Sequence, residues 1–118
     1  MNDSNFIVKP STISIAGKGL FTKVDIPKDS IVIEYYGKRQ PYHSHKKHDY
    51  CYGIGNNICI NAFKSKSLAR YVNDNHNYSE KKLNLKWKVI NDKVFMVSIC
   101  DIPKNTELFI SYGNIYWK

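Results

Sequence analysis

The segment 101–113 reads D-I-P-K-N-T-E-L-F-I-S-Y-G, and an earlier segment, 25–37, reads D-I-P-K-D-S-I-V-I-E-Y-Y-G. Both begin Asp-Ile-Pro-Lys, continue with Asp or Asn and then Ser or Thr, and finish Tyr-Gly. Each reads as a turn feeding a strand. Pro27 and Pro103 fix φ at the turn entry. Asp29 and Asn105 are residue types that tolerate the left-handed region of backbone space. Two copies are too few for a stacked repeat array. The echo therefore predicts two related halves of one compact β-fold.

Outward from these units, strand-like runs dominate. Phe6–Lys9, Thr12–Ile15 and Leu20–Lys23 are short and β-prone. Ser30–Tyr36 is nearly continuous apolar and aromatic, which predicts burial on both faces. Asp49–Ile54 and Ile58–Ala62 flank a turn at Gly55-Asn56-Asn57. Leu85, Trp87 and Val89 alternate with Lys86 and Lys88, the pattern of a half-buried strand. Asn91-Asp92 makes a tight hairpin into Val94–Cys100, and Thr106–Tyr112 is a last strand. One helical turn fits Ser67–Val72, with Leu68, Tyr71 and Val72 on one face. The stretch from Asp74 to Lys82 reads as a polar loop.

The length of 118 residues suits one domain, residues 1–118. At 42% hydrophobic residues it can bury a core, which argues against disorder. No apolar run is long enough to span a membrane, and the polar start, Met1 to Lys9, shows no signal peptide. Cys51, Cys59 and Cys100 match no zinc-ligand spacing. Each lies in an apolar stretch, which predicts buried, reduced thiols and an intracellular setting. His43, His45 and His48 lie in a basic loop and read as solvated, so no metal site is expected. The formal net charge is +8. It gathers in Tyr36 to His48 and in Lys64 to Lys88, as a surface for nucleic acid, an anionic membrane or a nucleosome, or as a solvated lysine-rich face.

Four motifs in order resemble those of SET-domain protein lysine methyltransferases. They are Gly17-Lys18-Gly19 followed by Leu20-Phe21; Glu34-Tyr35-Tyr36-Gly37; Ala69-Arg70-Tyr71-Val72-Asn73-Asp74-Asn75; and Glu107-Leu108-Phe109-Ile110-Ser111-Tyr112-Gly113. The likeness covers nearly the whole chain. With Tyr116-Trp117 after the last motif, it is greatest to the minimal free-standing viral SET proteins that methylate host histone H3. The resemblance implies a mainly β fold of the β-clip type, with small curved sheets, very little helix and a knot-like C-terminal segment. It also implies S-adenosylmethionine as methyl donor and a protein lysine as acceptor, on a histone H3 tail or nucleosome. A homodimer and, for a viral protein, the host nucleus follow by the same analogy.

By position in these motifs, Tyr112 is the catalytic tyrosine. Gly17, Lys18, Gly19, Leu20, Arg70, Asn73, Asp74, Tyr112 and Trp117 are candidates for the cofactor site, with Trp117 as a cover for the adenine. Tyr35, Tyr50, Tyr52, Tyr71 and Ile110 are candidates for the lysine channel. Tyrosines suit such a channel, with apolar walls, a cation-attracting face and a hydroxyl to aim the amine; the chain has nine. Each also has a plainer reading: a strand tyrosine as packing, the glycines as a turn, Asn73 as a helix cap, Arg70 as a solvated charge. Asp74-Asn75 departs from the family's His-Ser, and the flanking zinc-binding cysteines of many relatives are absent. Two other functions therefore stay open: a SET-like module without catalysis that binds nucleosomes or nucleic acid, and a methyltransferase for a non-histone protein.

Overall fold

The computed structural model describes residues 2–41, 51–55, 58–61, 65–75 and 82–112. Eight strands form three small antiparallel sheets, and the only helix among the described residues is 3-10. β1 (Phe6–Pro10) pairs with β2 (Lys18–Thr22). β3 (Ile31–Tyr35), β8 (Lys93–Ser98) and β7 (Leu85–Ile90) form a second sheet in the order β3-β8-β7. β4 (Lys38–Pro41), β6 (Ile58–Asn61) and β5 (Cys51–Gly55) form the third, in the order β4-β6-β5.

The Asp-Ile-Pro-Lys segments pair with each other. Ile26 and Ile102 exchange both backbone hydrogen bonds, each at 2.8 Å. The Asp101 carboxylate accepts the Lys28 N–H at 2.8 Å, and the Asp25 carboxylate accepts the Lys104 N–H at 2.9 Å. Around this centre the two halves repeat one pattern. Ser98 is bonded to the backbone of Asp29 and Ser30, as Thr22 is to that of Asn105 and Thr106. Asp29 and Asn105 both take the left-handed conformation, at φ 65° and 66°. The internal echo is thus a near two-fold relation between β2 with β3 and β8 with the final segment.

The core fills the space between the halves. Leu20, Ile26, Val32, Val94, Met96, Ile102, Leu108 and Ile110 are buried to below 2% exposure. β3 is largely buried on both faces, with Val32, Ile33 and Tyr35 inside and Ile31 exposed. At the β7–β8 turn Asn91 and Asp92 both have positive φ, 51° and 63°, the geometry that matches a two-residue turn to strand twist.

Three expectations need correction, and one strand joins those that the sequence predicts. Thr12–Ile15 is not a strand: it belongs to the β1–β2 connection, which contains a 3-10 turn at Ser14–Ala16. Lys38–Pro41 is a strand although its residues show no apolar alternation, because β6 supplies the pairing. The segment Thr106–Tyr112 forms no ladder. It makes single bridges to three neighbours, antiparallel from Glu107 to Phe21 and parallel from Phe109 to Asn73 and from Ile110 to Leu85. The cysteines are not all buried thiols. Cys59 is buried and disulfide-bonded, whereas Cys100 is a free thiol exposed in the bend after β8. An apolar neighbourhood suits a thiol and a disulfide alike, so sequence context does not separate them.

Candidate active site

Residues 72–74 join the Gly17–Gly19 stretch to the segment that ends at Tyr112. The 3-10 turn Leu68–Tyr71 leads into them, and Ser67 caps it by accepting the Ala69 N–H at 3.2 Å. The same hydroxyl donates to the Glu34 carbonyl at 2.6 Å, which ties the turn to β3. Beyond the turn, the Asn73 carbonyl accepts the Ile110 N–H at 2.9 Å. The Asn73 side-chain amide donates to the Lys18 carbonyl, also at 2.9 Å. The Tyr112 hydroxyl donates to the Val72 carbonyl at 2.5 Å, and the Tyr112 N–H donates to the Asp74 carboxylate at 2.9 Å. Asn73 therefore holds the Gly17–Gly19 stretch, and its two neighbours hold Tyr112.

The Gly17–Gly19 stretch is built for close backbone geometry. Gly17 has φ 71°, where a side chain is strained, and a Cβ there would meet nothing within 4 Å. That open space beside the loop, next to an anchored Lys18 carbonyl, fits a bound cofactor. Gly19 is a different case. A Cβ on it would stand 2.3 Å from a carboxylate oxygen of Glu107. Glu107 is buried, and it accepts the Ser11 hydroxyl at 2.6 Å, the Thr12 N–H at 2.9 Å and the Thr12 hydroxyl at 2.6 Å. The glycine at 19 is thus demanded by the protein's own carboxylate, whatever the cofactor requires.

The remaining candidates are spread more widely. Lys18 is exposed, and the Leu20 side chain is fully buried. Arg70 donates to the Tyr71 hydroxyl at 2.8 Å, with its guanidinium 4.8 Å from that ring's centroid. Tyr35 is 5% exposed and lies edge-on to Trp87, with ring centroids 5.4 Å apart. Ile110 is buried in the core. Tyr35 and Ile110 are thus both buried, and Tyr71 is half-buried under Arg70. Tyr52 is on β5. Tyr50, Trp117 and the histidines at 43, 45 and 48 lie outside the described residues. Among the described residues no group of three or more His, Cys, Asp or Glu gathers as for a metal, and no helix is long and apolar enough to cross a membrane.

Sequence reasoning missed three residues that build the site. Asn84 donates its amide to the Glu107 carbonyl at 2.9 Å and accepts the Phe109 N–H at 2.8 Å, so it acts as a strand partner for the last segment. Trp87 donates its indole N–H to the Ser111 carbonyl at 2.8 Å. Glu107 locks the β1–β2 connection. Asn84 ends a polar stretch and carries no signal in the sequence. Glu107 stands at the head of the apolar run Leu108–Ile110, and a charge leading into a buried segment is a sign of a buried partner.

A small β-fold that gathers a glycine-bounded strand start, an asparagine and a tyrosine around one crossing segment defines a narrow class of proteins. The family described as SET domain matches residues 17–113, and the chain belongs to that family. Among solved structures the chain is similar to one described as a humanized mutant of the Chaetomium thermophilum Polycomb Repressive Complex 2 bound to the inhibitor GSK126. The TM-score is 0.75 at 24% identity, over 96% of this chain. The chain spans 15% of the length of that one.

Proposed function

We propose that the protein transfers a methyl group from S-adenosylmethionine to a lysine side chain of a protein, with a histone tail as the favoured substrate. The observation that carries this reading is the hub at residues 72–74. It binds the Gly17–Gly19 stretch through Asn73 and Tyr112 through Val72 and Asp74, so the donor and acceptor sides meet at one point.

Gly17, Lys18 and Asn73 would hold the cofactor, with Arg70 and Asp74 beside them, and Trp117 as a cover. When bound, the cofactor supplies an electrophilic methyl group on a sulfonium. The chain's task is to present a neutral amine along the C–S axis. Burial disfavours the charged form of a lysine entering the site. The Tyr112 hydroxyl hydrogen is engaged by the Val72 carbonyl, so the oxygen would meet an amine N–H as an acceptor and aim it. Tyr112 thus acts by orientation, which can supply a large share of a rate, and not as a base.

A histone substrate is supported by the resemblance to the minimal viral SET proteins and by the basic surface, which suits nucleosomal DNA beside a tail. The deciding experiment is incubation with labelled cofactor and either nucleosomes or cell extract, followed by mass spectrometry of the labelled band. Label on histone lysines supports the full reading. Label only on another protein keeps the chemistry and replaces the substrate. Cofactor binding without transfer to any protein favours a binding module.

A further inference from the structure

The chain departs from the SET pattern at Asp74, and the structure gives this departure a task. The β-bridges of the last segment end at Ile110, and Ser111 and Tyr112 follow. Side chains grip the peptide that these two residues share. Its carbonyl, on Ser111, accepts the Trp87 indole N–H at 2.8 Å. Its N–H, on Tyr112, donates to the Asp74 carboxylate at 2.9 Å. In a trans peptide the C=O and N–H point in opposite directions, so the two contacts hold one plane from opposite edges.

We infer that Asp74 and Trp87 form a two-sided clamp on the Ser111–Tyr112 peptide and are positioning residues for Tyr112. This rests on reading Tyr112 as the catalytic tyrosine. With the plane fixed at one end and the hydroxyl held by Val72 at the other, the ring has little freedom to swing. Both clamp residues are themselves held. Asp74 is 6% exposed and follows Asn73, whose carbonyl is bonded to Ile110. Trp87 rests edge-on against Tyr35, which is buried in β3. The carboxylate is used as an acceptor of a backbone N–H, so an amide oxygen should serve in its place and an apolar side chain should not.

The test uses the full chain with Asp74→Ala, Asp74→Asn and Trp87→Phe, the last keeping a ring against Tyr35 while removing the N–H. Amide hydrogen exchange at Tyr112, read by NMR, needs no activity. Exchange is expected to quicken at least about tenfold in Asp74→Ala, as a hydrogen-bonded N–H becomes free to open, and to stay near wild type in Asp74→Asn. Unchanged exchange in folded Asp74→Ala overturns the clamp even if the protein proves not to be an enzyme. For turnover, kcat is expected to fall about ten- to a hundredfold in Asp74→Ala and Trp87→Phe. Trp87→Phe should leave cofactor affinity little changed, and Asp74→Asn should recover most of the rate. Wild-type kcat in folded Asp74→Ala, or an Asp74→Asn as slow as Asp74→Ala, overturns the positioning role. Wild-type protein inactive on every substrate refutes the proposed function instead, and the exchange result still decides the clamp.

Discussion

Tyr112 is the residue on which the enzymatic reading turns. Tyr112→Phe keeps the ring that packs on the core and removes the hydroxyl that meets Val72. Turnover is expected to fall at least about a hundredfold, in line with one well-placed polar group in an active site. Cofactor affinity by calorimetry should stay near wild type, since the interaction is made mainly in the transition state. A folded variant that methylates at the wild-type rate would refute the mechanism. At Gly17 the effect should be conformational. Gly17→Ala meets no neighbour but forces a side chain into φ 71° and ψ −114°, at a cost of about 1–3 kcal/mol. A drop in melting temperature with an altered cofactor affinity is expected, because the strain falls on the loop that frames the site.

At the scale of elements, the β1–β2 connection and the last segment are one unit, joined by Glu107. The sequence names Gly19 as a candidate for the cofactor site. The structure adds a packing demand at the same position, because even a Cβ would press into the buried carboxylate. Gly19→Ala is expected to lower stability by about 1–3 kcal/mol, the usual range for overpacking. In a Glu107→Ala background the same change should cost far less. The coupling in a double-mutant cycle of urea unfolding should reach about 0.5–3 kcal/mol, as for residues in contact; additive effects would show that the two do not touch. The β7–β8 hairpin offers a simpler check. Asp92 holds φ 63° without being glycine, so Asp92→Gly should raise the melting temperature and Asp92→Val should lower it.

Across the whole molecule, charge and fold serve different ends. Lys86 and Lys88 are exposed on one face of β7, and Lys93 is exposed at the start of β8. If this face docks nucleosomal DNA, methylation of nucleosomes should fall steeply with salt, while methylation of a tail peptide should change less. Parallel salt curves for the two substrates would remove the docking idea. The core owes nothing to this charge. It is built around the paired Ile26 and Ile102, where the two halves meet.

That meeting marks the border between what was legible in the chain and what was not. The turn signals at Pro27 and Pro103, with Asp29 and Asn105 after them, depend on local backbone preferences, and these are properties of the residues alone. The same holds for the alternation in β7 and the tight turn at Asn91-Asp92. The order of the four motifs also stands in the sequence, so the fold class and the roles expected of Gly17, Asn73 and Tyr112 could be stated from it. The third dimension decided which groups meet. β4 exists because β6 lies beside it, and the last segment is no regular strand because it changes neighbours along its length, from β2 at Thr106–Leu108 to Asn73 and Leu85 at Phe109 and Ile110. Gly19 and Glu107 are far apart in the chain, as are Asp74 and Tyr112. Hydrogen bonds and steric contacts act over a few ångströms of space, and only the folded chain brings these pairs within that reach.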